Sequence, residues 1–256
     1  MKNIRLDIEY DGTDFSGWQR QAGSIPTVQG TIESVLGRIV QEDVRIYGAG
    51  RTDKGVHARG QTANFTTGSN LEIGRLLHSA NSLLPGSIRI IGMRQVGQEF
   101  HSRFSAVLRE YRYFMIETPS AIDGRFAGCC HGRPDPEIMN RIASSLSGTH
   151  DFSAFSKEDP QQEGCECTVT SAVWYRWGRY HVFRITANRF LRSMVRYLVS
   201  GMVETGLGRM AEEGFSMMLM GGVRSHHLVP VDPAGLFLWK VSYGTADCKP
   251  IGIPEN

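Results

Sequence analysis

Residues 3–10 set Ile4, Leu6, Ile8 and Tyr10 against Arg5, Asp7 and Glu9, an alternation that predicts a strand with one face in a core. Val28, Ile32, Val35, Leu36 and Ile39 then recur at helical spacing. Short runs at 44–49 and 61–65 predict strands. The 71–84 segment predicts a helix with Asn70 at its N-cap and Pro85 closing it, and 88–96 a further strand. The order is βαββαβ, that of a ferredoxin-like unit.

The second half repeats the order. Residues 110–116 predict a strand, and Asp135, Pro136 and Gly148 punctuate a helix as cap, first position and stop. Residues 172–176 and 181–187 flank a Trp177-Gly178-Arg179 turn and predict a hairpin. Residues 190–205 predict a helix, and 236–243 a last strand. The expected fold is α+β: two ferredoxin-like (RRM-like) βαββαβ units with mainly antiparallel sheets and a positively charged cleft between them. The expected domains are 1–105, carrying the chemistry-bearing loop, and 106–256, completing the site.

A chain of 256 residues, 41% of them hydrophobic, sustains a packed core, which excludes disordered, collagen-like and disulfide-stapled classes. Lys and Arg number 28 against 26 Asp and Glu, a formal charge of +2, which by itself argues against a polyanionic partner. The total hides segregation. Arg51, Lys54 and Arg59 cluster, whereas Glu158, Asp159, Glu163, Glu212 and Glu213 lie in other segments. The first ten residues hold no apolar leader and no stretch is long enough to span a membrane, so a cytoplasmic protein is expected. The five cysteines include no CxxC pair, so no metal site is expected.

Residues 48–60, GAGRTDKGVHARG, hold one carboxylate, Asp53, among Arg51, Lys54, His57 and Arg59. Asp53 stands where a dinucleotide fingerprint requires its last glycine, and no Walker pattern fits. What remains is a flexible turn between two strands whose glycines admit a ligand and whose cations suit phosphate. Asp53, ionised among cations, suits a nucleophile or base. A solvated turn with a surface ion pair is the bland alternative, and composition alone weighs the two evenly.

On the predicted 190–205 helix, Arg189, Arg192 and Arg196 fall within about 60° of one another, a plausible phosphate track. Residues 109–114, REYRYF, interleave cations with aromatics, Tyr111 and Tyr113 sharing one face, as base stacking requires. A core face filled by tyrosines explains at least one of them equally well. Residues 100–105, FHSRFS, and 14–20, DFSGWQR, have the same aromatic and basic character.

Taken together these segments closely resemble the TruA-type tRNA pseudouridine synthases. The matching stretches are Tyr10-Asp11-Gly12, Gly17-Trp18-Gln19, Thr27-Val28-Gln29-Gly30, Ala49-Gly50-Arg51-Thr52-Asp53 and Gly55-Val56-His57-Ala58. They continue in Asn81, Leu84-Pro85, Phe100-His101, Arg103-Phe104-Ser105-Ala106, Tyr111-Arg112-Tyr113 and His150-Asp151-Phe152. Asn188, Phe190, Met194-Val195-Arg196 and Ala234-Gly235-Leu236 complete them. The resemblance implies that Asp53 is the catalytic aspartate, that Tyr111 stacks on the target base and that Arg196 holds Asp53. It also implies that Arg51 controls the space vacated by the base and that Leu236 belongs to the apolar wall. Arg189, Arg192, Lys54, Arg59 and His57 are the expected RNA contacts. A homodimer that isomerises uridine in the anticodon stem-loop of tRNA, with neither cofactor nor metal, is implied as well. Cys167 departs from the pattern, standing where related sequences often carry a basic residue.

Two other classes compete. A non-catalytic RRM-like RNA-binding protein explains the basic and aromatic segments but leaves Asp53 without a role. A small-molecule hydrolase using Asp53 as base lacks a second acid, a triad or metal ligands at convincing spacing.

Overall fold

The computed structural model describes residues 1–158, 164–221 and 223–244. The opening alternation becomes β1 (Lys2–Tyr10), with Ile4, Leu6, Ile8 and Tyr10 all buried. Its second face is covered too: Arg5 lies 4.6 Å over the Tyr243 ring and bonds Asp7 at 2.8 Å. α1 (Val28–Val40) starts where extended Thr27 accepts the Gly30 N–H. Within its buried face sits Glu33, which accepts the Ile46 N–H at 3.0 Å, while Gln29 donates to the Ile46 carbonyl at 3.1 Å. Both main-chain polar groups of Ile46 are thus taken by helix side chains. The strand expected over 44–49 shrinks accordingly to β2 (Tyr47–Gly48).

β3 (His57–Thr67) is longer than expected, and its first four residues belong to the GAGRTDKGVHARG motif. α2 (Ile73–Leu83) has Glu72 at its N-cap rather than Asn70, because the Leu76 N–H bonds the Glu72 carbonyl. It stops at Leu84, which precedes Pro85 and is extended. β4 (Ile88–Val96) and β5 (Ala106–Ile116) follow.

β6 (Gly128–Cys129) leads to α3 (Pro136–Ser145), capped by Asp135, which accepts from the Glu137 and Ile138 N–H groups at 2.8 and 3.3 Å. Gly148 opens β7 (Gly148–Asp151) instead of ending the helix. β8 (Glu166–Trp177) and β9 (Tyr180–Ala187) form the expected hairpin, with Trp177 opposite Tyr180 across a Gly178-Arg179 turn.

The next helix overturns an expectation. α4 (Met194–Gly206) begins four residues later than predicted, because Ser193 adopts a left-handed conformation (φ 59°) and the Arg192 carbonyl accepts the Lys157 N–H. Arg189 and Arg192 therefore precede the helix, and the three arginines form no helical stripe. α4 is buried on nearly every side, Arg196 being only half-buried. α5 (Glu212–Leu219) and β10 (Leu236–Tyr243) complete the described chain.

One compact unit comprises Met1–Val107 with the segment from Leu238 onward, and the other Leu108–Phe237. The break at 107 adjoins the expected 105/106 boundary, but most of β10 groups with the first unit rather than with 106–256. In the first unit β1 lies antiparallel between β3 and β4, β10 and short β2 pair with β3, and the order is β4-β1-β3-β10. In the second the order is β5-β9-β8-β7, with β6 parallel to β5. Both units thus mix helices with largely antiparallel sheet. Among the described residues no helix is long and apolar enough to cross a membrane. Asp159, Glu163 and Cys248 lie outside the described residues.

Candidate active site

Asp53 sits in the 49–56 loop between β2 and β3, half-buried, with Arg51 and Lys54 exposed beside it. The loop is not the flexible turn its glycines suggest. The Ala49 N–H donates to the Thr62 carbonyl at 2.8 Å, Gln61 donates to the Gly50 carbonyl at 2.8 Å, and the Trp18 N–H donates to the Thr52 carbonyl at 3.1 Å. Thr52 is buried, and its hydroxyl lies 2.8 Å from the Tyr10 hydroxyl. The Val56 N–H closes the turn on the Asp53 carbonyl at 3.2 Å. Ala49, Gly50 and Thr52, on the approach to the carboxylate, are each tied down by a different neighbour.

The close fit comes from glycines outside the motif. A Cβ at Gly12 would stand 2.0 Å from the Val56 carbonyl oxygen. At Gly17, which has φ +95°, it would stand 2.7 Å from the Thr52 oxygen. Only glycine lets the 11–18 segment lie this close behind the loop. Buried Trp18 fills the space next to it, its indole lying where a Cβ on Gly48 would meet it at 2.6 Å.

His57 does not fit the role of RNA contact expected of it. It is fully buried, its Nδ1 accepting the Gly12 N–H at 3.1 Å beside Asp11 Oδ1. Its position serves the 11–12 segment behind the loop. Arg59 is exposed, 3.4 Å from Glu9 Oε2 and 6.0 Å over the Trp239 ring. The first unit thus gathers Arg51, Asp53, Lys54 and Arg59 on and just after one anchored loop.

The second unit carries the other candidates. Tyr111 and Tyr113 face the same side of β5, and both are buried. Their surroundings separate them. The Tyr113 hydroxyl donates to the Asp232 carbonyl at 3.0 Å, and burial drives its ionisation far above the ordinary tyrosine range. It is a core residue. Tyr111 meets the Phe190 ring edge-on at 4.9 Å, just ahead of α4. Arg196, in the first turn of α4, donates from Nε to the Val231 carbonyl at 2.7 Å, and its own carbonyl accepts the Val231 N–H. That reciprocal pair fixes the lead-in to buried Leu236, as does the Asp232 carboxylate accepting the Ala234 N–H at 2.9 Å. Arg192 is exposed and Arg189 half-buried on the segment before α4.

Sequence reasoning missed the structural parts of Thr52 and Glu33, while the core alternative it held for one of the β5 tyrosines falls on Tyr113. The signal for Thr52 is a single uncharged residue between Arg51 and Asp53, which the alternation of the loop turns inward. Cys167, where the family pattern is departed from, is buried, and that burial pushes its thiol up to about 11.

The chain matches the family model for tRNA pseudouridine synthase over residues 8–105 and 142–244. It is 64% identical over 242 residues to the tRNA pseudouridine synthase A of Chlorobaculum tepidum, covering 94% of this chain and 98% of that one. It is 59% identical over 243 residues to the protein of the same name from Pelodictyon phaeoclathratiforme, covering 95% of this chain and 100% of that one. The like-named protein of Roseiflexus castenholzii is 41% identical over 255 residues, covering 95% and 91% of the two chains. With its anchored Asp53 loop and matches of this length, the chain belongs to the tRNA pseudouridine synthase family.

Proposed function

We propose that the protein converts uridine to pseudouridine in the anticodon stem-loop of tRNA, with Asp53 as the reacting carboxylate. The reaction breaks the N1–C1′ bond, turns the uracil and forms a C5–C1′ bond. The C5 hydrogen leaves to solvent, N1 gains a proton, and no redox change occurs. One carboxylate suffices, whether it attacks C1′ or C6 or takes the 2′ proton of a glycal route. Such a group must be held still while the base moves, and the bonds to Ala49, Gly50, Thr52 and Asp53 that immobilise the loop are the observation that carries the reading.

Extruding a stacked uridine costs a few kcal/mol, which an aromatic platform and cations offset. Tyr111 takes the stacking role, Arg51 the space the base vacates, Arg196 the pairing with Asp53, and Leu236 the apolar wall. Lys54, Arg59, Arg189 and Arg192 contact phosphates; His57, being buried, is withdrawn from that group. The ferredoxin-like reading of both units, the charged cleft, the homodimer and the cytoplasmic location belong to the same proposal. The β1-α1-β2-β3-α2-β4 order supports its first part for the first unit, whereas the second unit carries β6, β7 and α5 beyond the expected elements.

The test is release of tritium from tRNA labelled at uridine C5. Wild type releases label and Asp53→Asn, folded and binding tRNA, releases none above background. If wild type releases no label the synthase reading fails, and retained binding would then favour an RNA-binding module. If Asp53→Asn turns over like wild type, the carboxylate is misassigned.

A further inference from the structure

We propose that the rings of Tyr47, His101 and Phe104, flanked by Arg45 and Arg103, form a second RNA site that stacks an unpaired base of the substrate tRNA. The inference rests on tRNA being the substrate, and it adds a contact that the reaction itself does not use. The three rings form a row, Tyr47 to His101 at 5.3 Å and His101 to Phe104 at 4.5 Å. Arg45 lies 5.8 Å over the Tyr47 ring and Arg103 5.5 Å over that of Phe104. Phe104 is 75% exposed and Tyr47 43%. Single exposed apolar residues are ordinary. An exposed row of aromatic rings with a guanidinium at each end is not, and it is the combination that single-stranded RNA engages: π faces for bases and cations for phosphates.

The turn that carries Phe104 is fixed from beneath. Ser102 is fully buried, its N–H donating to Asn64 Oδ1 at 2.9 Å and its carbonyl accepting the Tyr243 hydroxyl at 2.8 Å. Asn64 donates to Asn3 at 3.1 Å, and Asn3 in turn bonds the Gly97 and Phe100 carbonyls, each at 2.9 Å. Above them the Arg103 N–H donates to His101 Nδ1 at 3.1 Å and the Ser105 N–H to the His101 carbonyl at 2.9 Å. Phe104 is therefore held outward by an anchored backbone, which spares the entropy a mobile ring would lose on binding. Partial burial, and to a lesser degree the neighbouring Arg103 charge, lower the pKa of His101, which favours the neutral ring. Charge selects the occupant: a second copy docking by twofold symmetry would set Arg45 and Arg103 against their own images, whereas a polyanion complements them.

The test is Phe104→Ala, measured by tRNA affinity, thermal unfolding and sedimentation. Affinity falls about tenfold, as for loss of one stacked base, while unfolding and sedimentation stay as in wild type. Phe104→Trp, which keeps a π face, recovers affinity to within about threefold, and Phe104→Leu, apolar without one, does not. Wild-type affinity in Phe104→Ala overturns the proposal, as does recovery by Leu equal to that by Trp. Altered sedimentation makes the face a contact between copies and also overturns it. The two readings fail on separate measurements, this one on affinity at Phe104 and the Asp53 assignment on turnover.

Discussion

Gly12→Ala should remove most of the turnover while leaving the protein folded. A methyl group there would meet the Val56 carbonyl oxygen at 2.0 Å and its carbon at 2.7 Å, whereas ordinary contact begins at 3.4 Å, so about 1.4 Å must be opened. Main chain stands on both sides, so no side-chain rotation relieves the clash. On one side the Gly12 N–H is bonded to buried His57. On the other the Val56 N–H is bonded to the Asp53 carbonyl, so moving Val56 moves Asp53. Overpacking of this kind costs about 1–3 kcal/mol, less than the 5–15 kcal/mol by which a domain is ordinarily stable. A 1 Å misplacement of a reacting group costs roughly 100-fold in rate. The assay is single-turnover tritium release below the unfolding midpoint, with urea denaturation alongside. Gly86→Ala is the control, since nothing lies within 4 Å of a Cβ there, and its stability and rate should stay near wild type. A folded Gly12→Ala protein with a rate within about threefold of wild type would refute the idea that the 11–18 segment positions Asp53.

Three further outcomes are expected. Glu117 accepts from His181 at 2.9 Å and from Arg176 at 3.2 Å, contacts that hold its carboxyl below its ordinary value of 4.5, the His181 hydrogen bond being the main cause. A depressed folded value contributes stability above the unfolded one and loses it as pH falls through the folded one, so Glu117→Gln should lower stability at neutral pH and flatten its decline in acid, as urea titrations would show. Tyr113→Phe should cost about 0.5–1.5 kcal/mol by urea denaturation, because it strips the Asp232 carbonyl of its donor, and an unchanged midpoint would mean that this bond adds nothing. Cys167, buried and with its thiol raised to about 11, should resist alkylation in the native protein while half-buried Cys129 and Cys165 react first, and equal rates by mass spectrometry would contradict that order.

Periodicity located the elements whose backbone bonds stay within the element. α1 spans the 28–40 of its apolar repeat, β4 the 88–96 of its own, and Asp135 with Pro136 marks the start of α3. It failed where a distant group competes for the backbone. Glu33 and Gln29 take both polar groups of Ile46 and leave β2 two residues long, and the Lys157 N–H takes the Arg192 carbonyl ahead of α4. The arginine stripe drawn on a helix from 190 depended on bonds that the chain makes elsewhere. Nothing in the spacing of Arg189, Arg192 and Arg196 could reveal that, because the left-handed turn at Ser193 is a property of its tertiary partners.

The motif around Asp53 was legible in composition and misleading in mechanics. Four glycines within thirteen residues read as freedom of movement, yet main-chain bonds hold the loop at Ala49, Gly50, Thr52 and Asp53. The glycines that matter most for the fit, Gly12 and Gly17, lie more than thirty residues earlier, where they let a second segment close against the loop without a side chain between. A carboxylate that must meet a moving base is useful only if its own position is fixed before the base arrives. The tyrosines of β5 make the same point from the other direction. They share a face and are both buried, and the commitment of the Tyr113 hydroxyl to the Asp232 carbonyl separates the residue that holds the strand from Tyr111, which meets Phe190 ahead of α4. Residue types at a given spacing nominate a site; which of them is left to face a substrate is decided by the bonds that use up the others.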